Sequence, residues 1–295
     1  MIADNDIRPL IFGEVLFDHF PDGSEILGGA PFNVAWHLQA FGHSPLFVSR
    51  IGNDEAGNKV RSAMQIWGMD LSGLQLDPTH STGSVEVSLA EGEPHYDIVP
   101  QCAYDFIDTN ELPVIEENIL LYHGSLALRH NISAHALTEI QRRTTAPIFV
   151  DINLRSPWWK KESSRDMLAK ARWIKLNEEE LRLIEPGAVS NSQLLPGLMT
   201  DQTGFVVLTR GAEGASIISD SKIYDVRPQP VFTFVDAVGA GDAFCSVVLV
   251  GIIKQWPLPV ALKRAQQFAS AVVGVRGATC RDRRFYESVI KTWND

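Results

Sequence analysis

The stretch Val235-Asp236-Ala237-Val238-Gly239-Ala240-Gly241-Asp242-Ala243-Phe244 lies near the C-terminal end of the chain. A β-branched and aromatic run at 231–235 predicts a strand, and the apolar run at 243–253 predicts a buried helix. Between them, Gly239 and Gly241 let a ligand approach the backbone because they carry no Cβ. The unpaired amides at the start of the helix point to the same place. The stretch therefore predicts a strand, a glycine turn and a helix that together bind an anion.

Asp242 is the unusual member of this stretch, because a carboxylate at an anion-binding helix start repels a resting phosphate. It is well placed, however, to take a proton from an attacking hydroxyl, which indicates phosphoryl transfer. The alternative is that Asp242 is a first-turn acid favoured by the helix dipole, with the glycines forming only a tight turn. On the Gly-Ala-Gly-Asp pattern alone, the two interpretations are about equally supported.

The composition is that of an ordinary globular protein. The chain has 295 residues, 45% of them hydrophobic, which is enough for a large buried core. A net charge of −10 and the lack of a basic patch argue against nonspecific binding to nucleic acid or anionic membranes. The cysteines, Cys102, Cys245 and Cys280, are odd in number and far apart, which favours structural thiols in a reducing compartment.

The N-terminal segment and the apolar runs bear on localisation. Acids stand at 1–6 where a signal peptide would have a basic region. The most apolar segment, 243–253, is well short of the roughly 20 residues that a bilayer-spanning helix needs. We therefore expect a cytoplasmic protein with no membrane partner.

Two groups of polar residues follow the first predicted strand. Asp18 lies just past the end of that strand, where open α/β sheets bind ligands, although a lone acid in a loop is more often solvated. Gly28 and Gly29 then form a turn before a helix with Pro31 in its first turn. Asn33 lies in the same turn, and its amide offers the donors and the acceptor that a sugar hydroxyl needs.

The region 84–99 departs from the strand-helix alternation of the rest. Apolar and polar residues alternate over 84–89, a turn follows at 91–94, and 95–99 runs back. This pattern predicts an antiparallel hairpin. We interpret it as a flap beside the main sheet, while an ordinary surface hairpin fits the periodicity equally well.

The strand predicted at 147–150 is followed by Asp151-Ile152-Asn153-Leu154-Arg155. A period of two would put Asp151, Asn153 and Arg155 on one side, so three polar groups would converge at the carboxyl end of the strand. Arg155 could bind a phosphate with two hydrogen bonds. A loop held by its own side-chain bonds would account for Asp151 but explains Arg155 less well.

Two further turns follow predicted strands. Asn177-Glu178-Glu179-Glu180 is a good helix start as it stands, and the same carboxylates could hold hydrated magnesium. Gly211 and Gly214 follow the strand at 205–209, where they permit a ligand to approach closely or suit a simple hairpin. The regular alternation of strands and helices predicts an α/β fold with a parallel sheet. No repeat or linker divides the chain, so we expect one domain over 1–295.

Together these motifs resemble the PfkB-type, ribokinase-like carbohydrate kinases over nearly the whole chain. The resemblance rests on G-G-A-P-F-N, D-I-N-L-R, N-E-E-E, L-T-R-G-A-E-G-A and G-A-G-D, which stand in the order of the family. It implies an α/β, ribokinase-like fold with a doubly wound, mostly parallel sheet flanked by helices. It further implies a small, discontinuous β lid formed by about 14–28 and 83–106. It also implies ATP and Mg²⁺, transfer of a phosphoryl group to a primary alcohol of a sugar, and a homodimer through the lid as one form of assembly.

The resemblance also implies a role for each matching residue. Asp242 would deprotonate the sugar hydroxyl, beside amides that hold the migrating charge, those of Gly239, Ala240 and Gly241. The sugar would contact Asp18, Gly28, Gly29, Asn33, Asn153 and Arg155. The nucleotide would lie against Thr209, Gly211 and Gly214, while Glu180 with Asn177 would organise Mg²⁺ through water. Asp236 stands where members with a potassium site have a carboxylate, but this chain has Ala237-Val238 where the family often has threonine, so K⁺ stays open.

Among family members, G-E-V-L-F-D, G-G-A-P-F-N-V-A and R-I-G-N-D-E-A-G look most like fructokinases. The alternative is a 2-keto-3-deoxygluconate kinase, in which an arginine near the lid and Arg155 of D-I-N-L-R would meet the substrate carboxylate. The stretch Tyr96-Asp97-Ile98-Val99-Pro100 has no arginine, and Asp97 would repel an acid, which favours a neutral sugar. A noncatalytic sugar-binding regulator on the same fold is a third interpretation, against which the intact Asp242 argues.

Overall fold

The computed structural model describes residues 7–90, 93–186, 198–219, 222–228 and 235–293. The strand predicted at 231–235 lies outside these ranges except for Val235. The turn predicted at 91–94 lies partly outside them.

The secondary structure alternates between strands and helices over most of the chain. Strands β1 to β13 are Arg8–Phe12, Leu16–His19, Glu25–Gly28, Leu46–Gly52, Leu74–Asp77, Gly83–Ala90, Glu93–Ile98, Ile119–His123, Ile148–Asp151, Trp173–Asn177, Phe205–Thr209, Ala215–Ser219 and Lys222–Val226. Helices α1 to α8 are Ala30–Ala40, Glu55–Trp67, Asn131–Arg143, Lys161–Ala169, Glu178–Ile184, Ala240–Ile253, Leu258–Val272 and Arg283–Lys291.

The large sheet has the order β13-β12-β11-β10-β9-β8-β1-β4-β5. The strands from β11 to β5 in this order pair in parallel, and β12 and β13 extend one edge in antiparallel pairing. The chain starts in the middle of this sheet with β1 and later adds strands on both sides. The predicted doubly wound, mostly parallel fold is confirmed.

Helices cover both faces of the large sheet because its strands send alternate side chains to opposite sides. In β1, Ile11 packs into a core shared with residues of α1, α2, α6, α7 and α8. Its neighbour Leu10 packs into a second core with residues of α3. At the other half of the sheet, Ile174 of β10 packs with residues of α4 and α5. Both faces of the central strands are thereby closed to solvent.

A separate small sheet has the order β3-β2-β6-β7. The predicted hairpin is present in it as β6 and β7, which pair antiparallel. The pairing of β2 with β6 is parallel, so two stretches far apart in sequence join to form this sheet. β2 follows the carboxyl end of β1, and β6 follows the carboxyl end of β5, so both stretches leave the large sheet at the same edge. The small sheet therefore stands beside the edge where parallel sheets bind ligands.

None of the helices in the described ranges is long and apolar enough to span a membrane.

Candidate active site

The glycine turn before α6 forms the floor of the site. Gly239 is the residue before the helix and has φ +78°, a conformation that favours glycine. A Cβ on Gly239 would lie 2.2 Å from the Cβ of Ala278, so a larger residue does not fit. The amide of Ala240 donates to the carbonyl of Ala237 at 3.3 Å. The amides of Gly239, Gly241 and Asp242 have no acceptor among the described residues, so these three are donors available to an anion.

Asp242 lies in the first turn of α6 and is held by a residue from the opposite end of the chain. The amide nitrogen Nδ2 of Asn33 donates to its Oδ2 at 2.8 Å. Burial raises the pKa of Asp242 to about 7, and the charge of Asp151 adds to the rise. The hydrogen bond from Asn33 and the nearby Lys175 and Arg155 oppose it. The result is a carboxylate that can accept a proton near neutral pH, as a general base must.

The turn at Gly28 and Gly29 brings two of the predicted sugar residues, Asp18 and Asn33, together. Gly29 has φ +106°, and a Cβ there would lie 2.7 Å from the carbonyl oxygen of Glu14. A Cβ on Gly28 would lie 3.7 Å from Oδ2 of Asp18 and 4.0 Å from Oδ1 of Asn33. Both oxygens therefore face the same side of the turn. Burial raises the pKa of Asp18 to about 6, and Arg155 opposes this rise.

Glu14 is a buried carboxyl behind the Gly-Gly turn, with 2% of its surface exposed. Its Oε2 has no hydrogen-bond partner among the described residues. Burial raises the pKa of Glu14 to about 7, and the charge of Asp242 contributes to this rise. Arg155 and Arg129 lower it. Glu14 is therefore an acid that belongs to the electrostatics of the site.

A buried ion pair lies beneath the glycine turn. Nζ of Lys175 donates to both carboxylate oxygens of Asp151, at 2.7 and 2.8 Å. A Cβ on Gly241 would lie 3.6 Å from the same Nζ. Burial would lower the pKa of Lys175, but the charge of Asp151 keeps it above its usual value. A fixed cation therefore lies directly under the turn.

The segment 151–155 does not continue as a strand. β9 ends at Asp151, and Asn153 has φ +41°, so the period of two that was expected to align three side chains is broken. The side chain of Asp151 is bound by Lys175. The carbonyl of Asn153 accepts a hydrogen bond from Ser125 at 3.0 Å. Arg155 is exposed, and its charge lowers the pKa of Asp18 and Asp242, so it lies at the mouth of the site.

Asn177 and Glu180 form a capping box at the start of α5. Oδ1 of Asn177 accepts from the amide of Glu180, and Oε2 of Glu180 accepts from the amide of Asn177, at 2.9 and 2.8 Å. Oε1 of Glu180 accepts from the amide of Leu154 at 2.9 Å. No cluster of three His, Cys, Asp or Glu side chains in the described residues is suited to a metal. Because both carboxylate oxygens of Glu180 already accept from backbone amides, a cation beside this turn would meet Glu180 through water.

The two glycines after β11 have different surroundings. A Cβ on Gly211, at φ +52°, would meet nothing within 4 Å, so its backbone is open to a ligand. A Cβ on Gly214 would lie 2.0 Å from the carbonyl oxygen of Val226, so contact with β13 explains this glycine without a ligand. Thr209 lies between β11 and this turn, and its hydroxyl is 3.5 Å from the carbonyl of Leu176.

Asp236 links two loops beside the glycine turn. Its Oδ1 accepts from the amide of Val238 at 2.9 Å, and Oδ2 accepts from the amide of Gly277 at 3.4 Å. Both oxygens thus have backbone donors, and a cation here would share the carboxylate with them.

Sequence reasoning missed Glu14 and the pairing of Lys175 with Asp151. A signal was present in both places: Glu14 lies two residues after the apolar strand β1, and Lys175 interrupts the apolar run of β10. A charged residue inside a buried strand needs a partner. Asp151 is 24 residues away, however, and it becomes that partner only because β9 and β10 are neighbours.

Known proteins with similar sequences or structures include several sugar kinases. A fructokinase of Escherichia coli is 29% identical over 257 residues, which cover 82% of this chain and 83% of that protein. A putative sugar kinase of Pyrococcus horikoshii is 28% identical over 87% of this chain and 84% of that protein. Its crystal structure in complex with ATP has a TM-score of 0.77 and covers 92% of this chain and 93% of that chain. A fructokinase of Vibrio cholerae, solved with fructose, ADP and potassium, shares the fold with a TM-score of 0.82 at 24% identity, over 97% of this chain and 99% of that chain.

The family model described as "pfkB family carbohydrate kinase" matches residues 7–283. That range includes the Gly-Gly turn, the glycine turn before α6 and every strand of both sheets. The chain belongs to the PfkB family of carbohydrate kinases.

Proposed function

We propose that the protein is an ATP-dependent fructokinase, which transfers the γ-phosphoryl group of ATP to a primary hydroxyl of fructose. The observation that carries the proposal is the hydrogen bond between Asn33 and Asp242. It joins the predicted sugar-binding turn to a carboxylate whose pKa is raised to about 7. A general base beside a sugar subsite and an anion-binding helix start is what phosphoryl transfer to an alcohol requires.

Each group of the site has a part in the proposed reaction. Oδ1 of Asp242, the oxygen that does not bind Asn33, would take the proton of the attacking hydroxyl. The amides of Gly241 and Asp242 would donate to the oxygens of the migrating phosphoryl group, with the charge of Lys175 beneath them. When bound, ATP with Mg²⁺ supplies the phosphoryl group. Asn33 would keep the base oriented, and Asp18 would bind hydroxyls at the other end of the sugar.

The charges around the site favour a neutral sugar over a sugar acid. Asp18, Glu14 and Asp242 place three carboxyl groups around the Gly-Gly turn. Arg155 is an exposed cation whose charge lowers the pKa of all three carboxyl groups. In a sugar acid kinase, the same arginine would also have to neutralise the substrate carboxylate. Because Arg155 is already needed to offset these acids, we favour fructose over 2-keto-3-deoxygluconate.

The nucleotide is proposed to lie along the turn after β11. The open backbone at Gly211 supports this, as does the complex of the P. horikoshii relative with ATP. Thr209 would contact the same ligand, and Glu180 would orient the water shell of Mg²⁺. We also propose that the enzyme is cytoplasmic and consists of one domain. It would form a dimer through the small sheet and bind K⁺ near Asp236.

A coupled ATP-consumption assay on a panel of sugars tests the proposal. The panel should contain fructose, glucose, ribose and 2-keto-3-deoxygluconate, each with Mg²⁺ and with either K⁺ or Na⁺. We expect fructose to give the highest kcat/KM and the product to carry phosphate on a primary carbon by NMR. Turnover of 2-keto-3-deoxygluconate without turnover of fructose would establish the acid kinase. Sugar binding without any turnover would establish the noncatalytic alternative.

A further inference from the structure

Arg129 is a buried arginine outside the motifs that identify the family. It ends a short 3₁₀ helix, Leu126–Arg129, which follows β8. Its side chain is 3% exposed. Nε and Nη2 donate to the two oxygens of Asp105 at 2.7 and 2.8 Å, so the pair is bidentate. A buried ion pair of this kind is often purely structural. The ion pair with Asp105 alone therefore assigns no further role to Arg129.

The first additional contact reaches the small sheet. Nη2 of Arg129 also donates to the carbonyl of Val99 at 2.7 Å. Val99 directly follows β7, and its amide donates to the carbonyl of Ser84 in β6 at 3.1 Å. The chain then turns through Gln101, a non-glycine residue with φ +57°. Arg129 therefore fixes the point at which the small sheet rejoins the rest of the molecule.

The second contact reaches the loop that carries Arg155. The guanidinium carbon of Arg129 lies 4.6 Å from the ring centroid of Trp158. The amide of Trp158 donates to the carbonyl of Arg155 at 2.8 Å. Stacking of a guanidinium on an indole is worth more where the cation is shielded from water, and the side chain of Arg129 is 3% exposed. Arg129 thus links the exit of the small sheet to the loop of Arg155.

The two segments that Arg129 links, the small sheet and the Arg155 loop, also interact near the Gly-Gly turn. The charge of Arg155 acts on Asp18, which is part of β2 in the small sheet. The charge of Arg129 itself acts on Glu14, next to the Gly-Gly turn. A movement of the small sheet at Val99 would therefore be transmitted to Arg155 through Trp158, and Arg155 would shift relative to the sugar.

We propose that Arg129 is a positioning residue that couples the small sheet to the Arg155 loop, so that the sheet closes on the sugar with Arg155 in place. The coupling depends on the planar guanidinium, which binds Asp105 and Val99 through its edge and Trp158 through its face. Lysine cannot make these contacts together. The inference rests on the proposed function, since it assumes that a sugar binds beside Asp18.

Two variants test the coupling with the full-length protein. Arg129→Lys keeps a positive charge beside Asp105, and Trp158→Leu removes the stacking while the ion pair stays intact. For both we expect KM for fructose to rise by about tenfold or more, because small displacements of a positioning group are costly. KM for ATP should change less than about twofold. Hydrogen exchange in peptides of β6 and β7 should lose the protection that fructose gives to the wild type.

Arg50→Lys is the matched control. It alters a second buried pair, Arg50 with Asp77 at 2.9 Å, which contacts neither Val99 nor Trp158. This control should lower Tm by an amount similar to Arg129→Lys but leave KM for fructose unchanged. An active wild type whose two variants keep both the sugar KM and the fructose-dependent protection would overturn the role of Arg129. A wild type that phosphorylates no sugar would instead overturn the proposed function.

Discussion

At the scale of single residues, Asp242 combines a hydrogen bond that orients it with burial that makes it more basic. If it is the general base, Asp242→Asn should fold and bind ATP but lose about 10²-fold or more in kcat. Steady-state kinetics and calorimetric ATP binding would check this. Asp166→Asn, which changes an exposed aspartate on α4, serves as the control. Near wild-type kcat in Asp242→Asn would remove the residue from the reaction.

The raised pKa of Asp242 sets the expected pH dependence. The base must be ionised, so kcat/KM should rise about tenfold per pH unit below about 7 and level off above it. The hydrogen bond from Asn33 lowers this pKa, so Asn33→Ala should move the acid limb to higher pH. A pH profile of both proteins, with the same buffers and saturating ATP, would measure the shift. If the acid limb of Asn33→Ala moves to lower pH instead, Asn33 does not stabilise the ionised carboxylate of Asp242.

Asp18 and Asn33 each present an oxygen to the proposed sugar position. Removal of either should leave polar groups of the bound sugar without a partner, at about 1–3 kcal/mol per group. Asp18→Ala and Asn33→Ala should therefore raise KM for fructose and leave KM for ATP nearly constant. The reverse pattern would mean that the sugar and nucleotide ends of the site are exchanged.

At the scale of elements, the turn before α6 contains two glycines with different functions. At Gly239 a Cβ would clash with Ala278 at positive φ, whereas at Gly241 it would make an ordinary contact with Lys175 at 3.6 Å. We expect Gly239→Ala to lower Tm strongly. Gly241→Ala should stay folded but lose kcat, because the added methyl group lies beside the anion-binding amides. Thermal unfolding combined with kinetics separates these effects, and equal losses of Tm in both variants would contradict them.

The small sheet is expected to respond to the sugar more than to ATP. If it covers the sugar and excludes water, fructose should protect the amides of β6 and β7 from hydrogen exchange, and ATP alone should protect them less. 2-Keto-3-deoxygluconate should give little protection because the acids at the site disfavour its charge. Strong protection by the sugar acid and none by fructose would indicate that Arg155 binds the carboxylate of a sugar acid substrate.

The elements differ in how far the sequence predicts them. The turn before α6 and the Gly-Gly turn were predictable because glycine, proline and the first helical residues act within a few positions of one another. The capping box of Asn177 and Glu180 was predictable for the same reason. The alignment expected at 151–155 failed because Asn153 adopts positive φ, which periodicity does not reveal. Partners such as Lys175 with Asp151, or Arg129 with Val99, depend on strand order and so require the structure.

At the scale of the whole molecule, the buried acids of the site reduce stability at the pH where they function. Burial raises the pKa of Glu14 from its ordinary value of 4.5 to about 7 in the folded state. Between about pH 4.5 and pH 7, the folded state therefore binds more protons than the unfolded state. The stability present below this window is lost as pH rises through it. Glu14→Gln should therefore stabilise the protein by about 2–3 kcal/mol at pH 8 and by little at pH 4.5. Denaturant unfolding at both pH values, with Glu86→Gln as an exposed control, would test this. A gain that is equal at both pH values would contradict it.

The hydrogen bond between Asn33 and Asp242 joins residues that are 209 positions apart. During synthesis, the sugar-side turn leaves the ribosome long before the segment that forms α6. A nascent or prematurely terminated chain therefore carries one half of the site without the base. Because Gly239 packs on Ala278, phosphotransfer by ribosome-arrested chains is expected only after α7 and Ala278 have emerged and α6 has packed on α1. The onset of activity would therefore report how late in synthesis the site is completed.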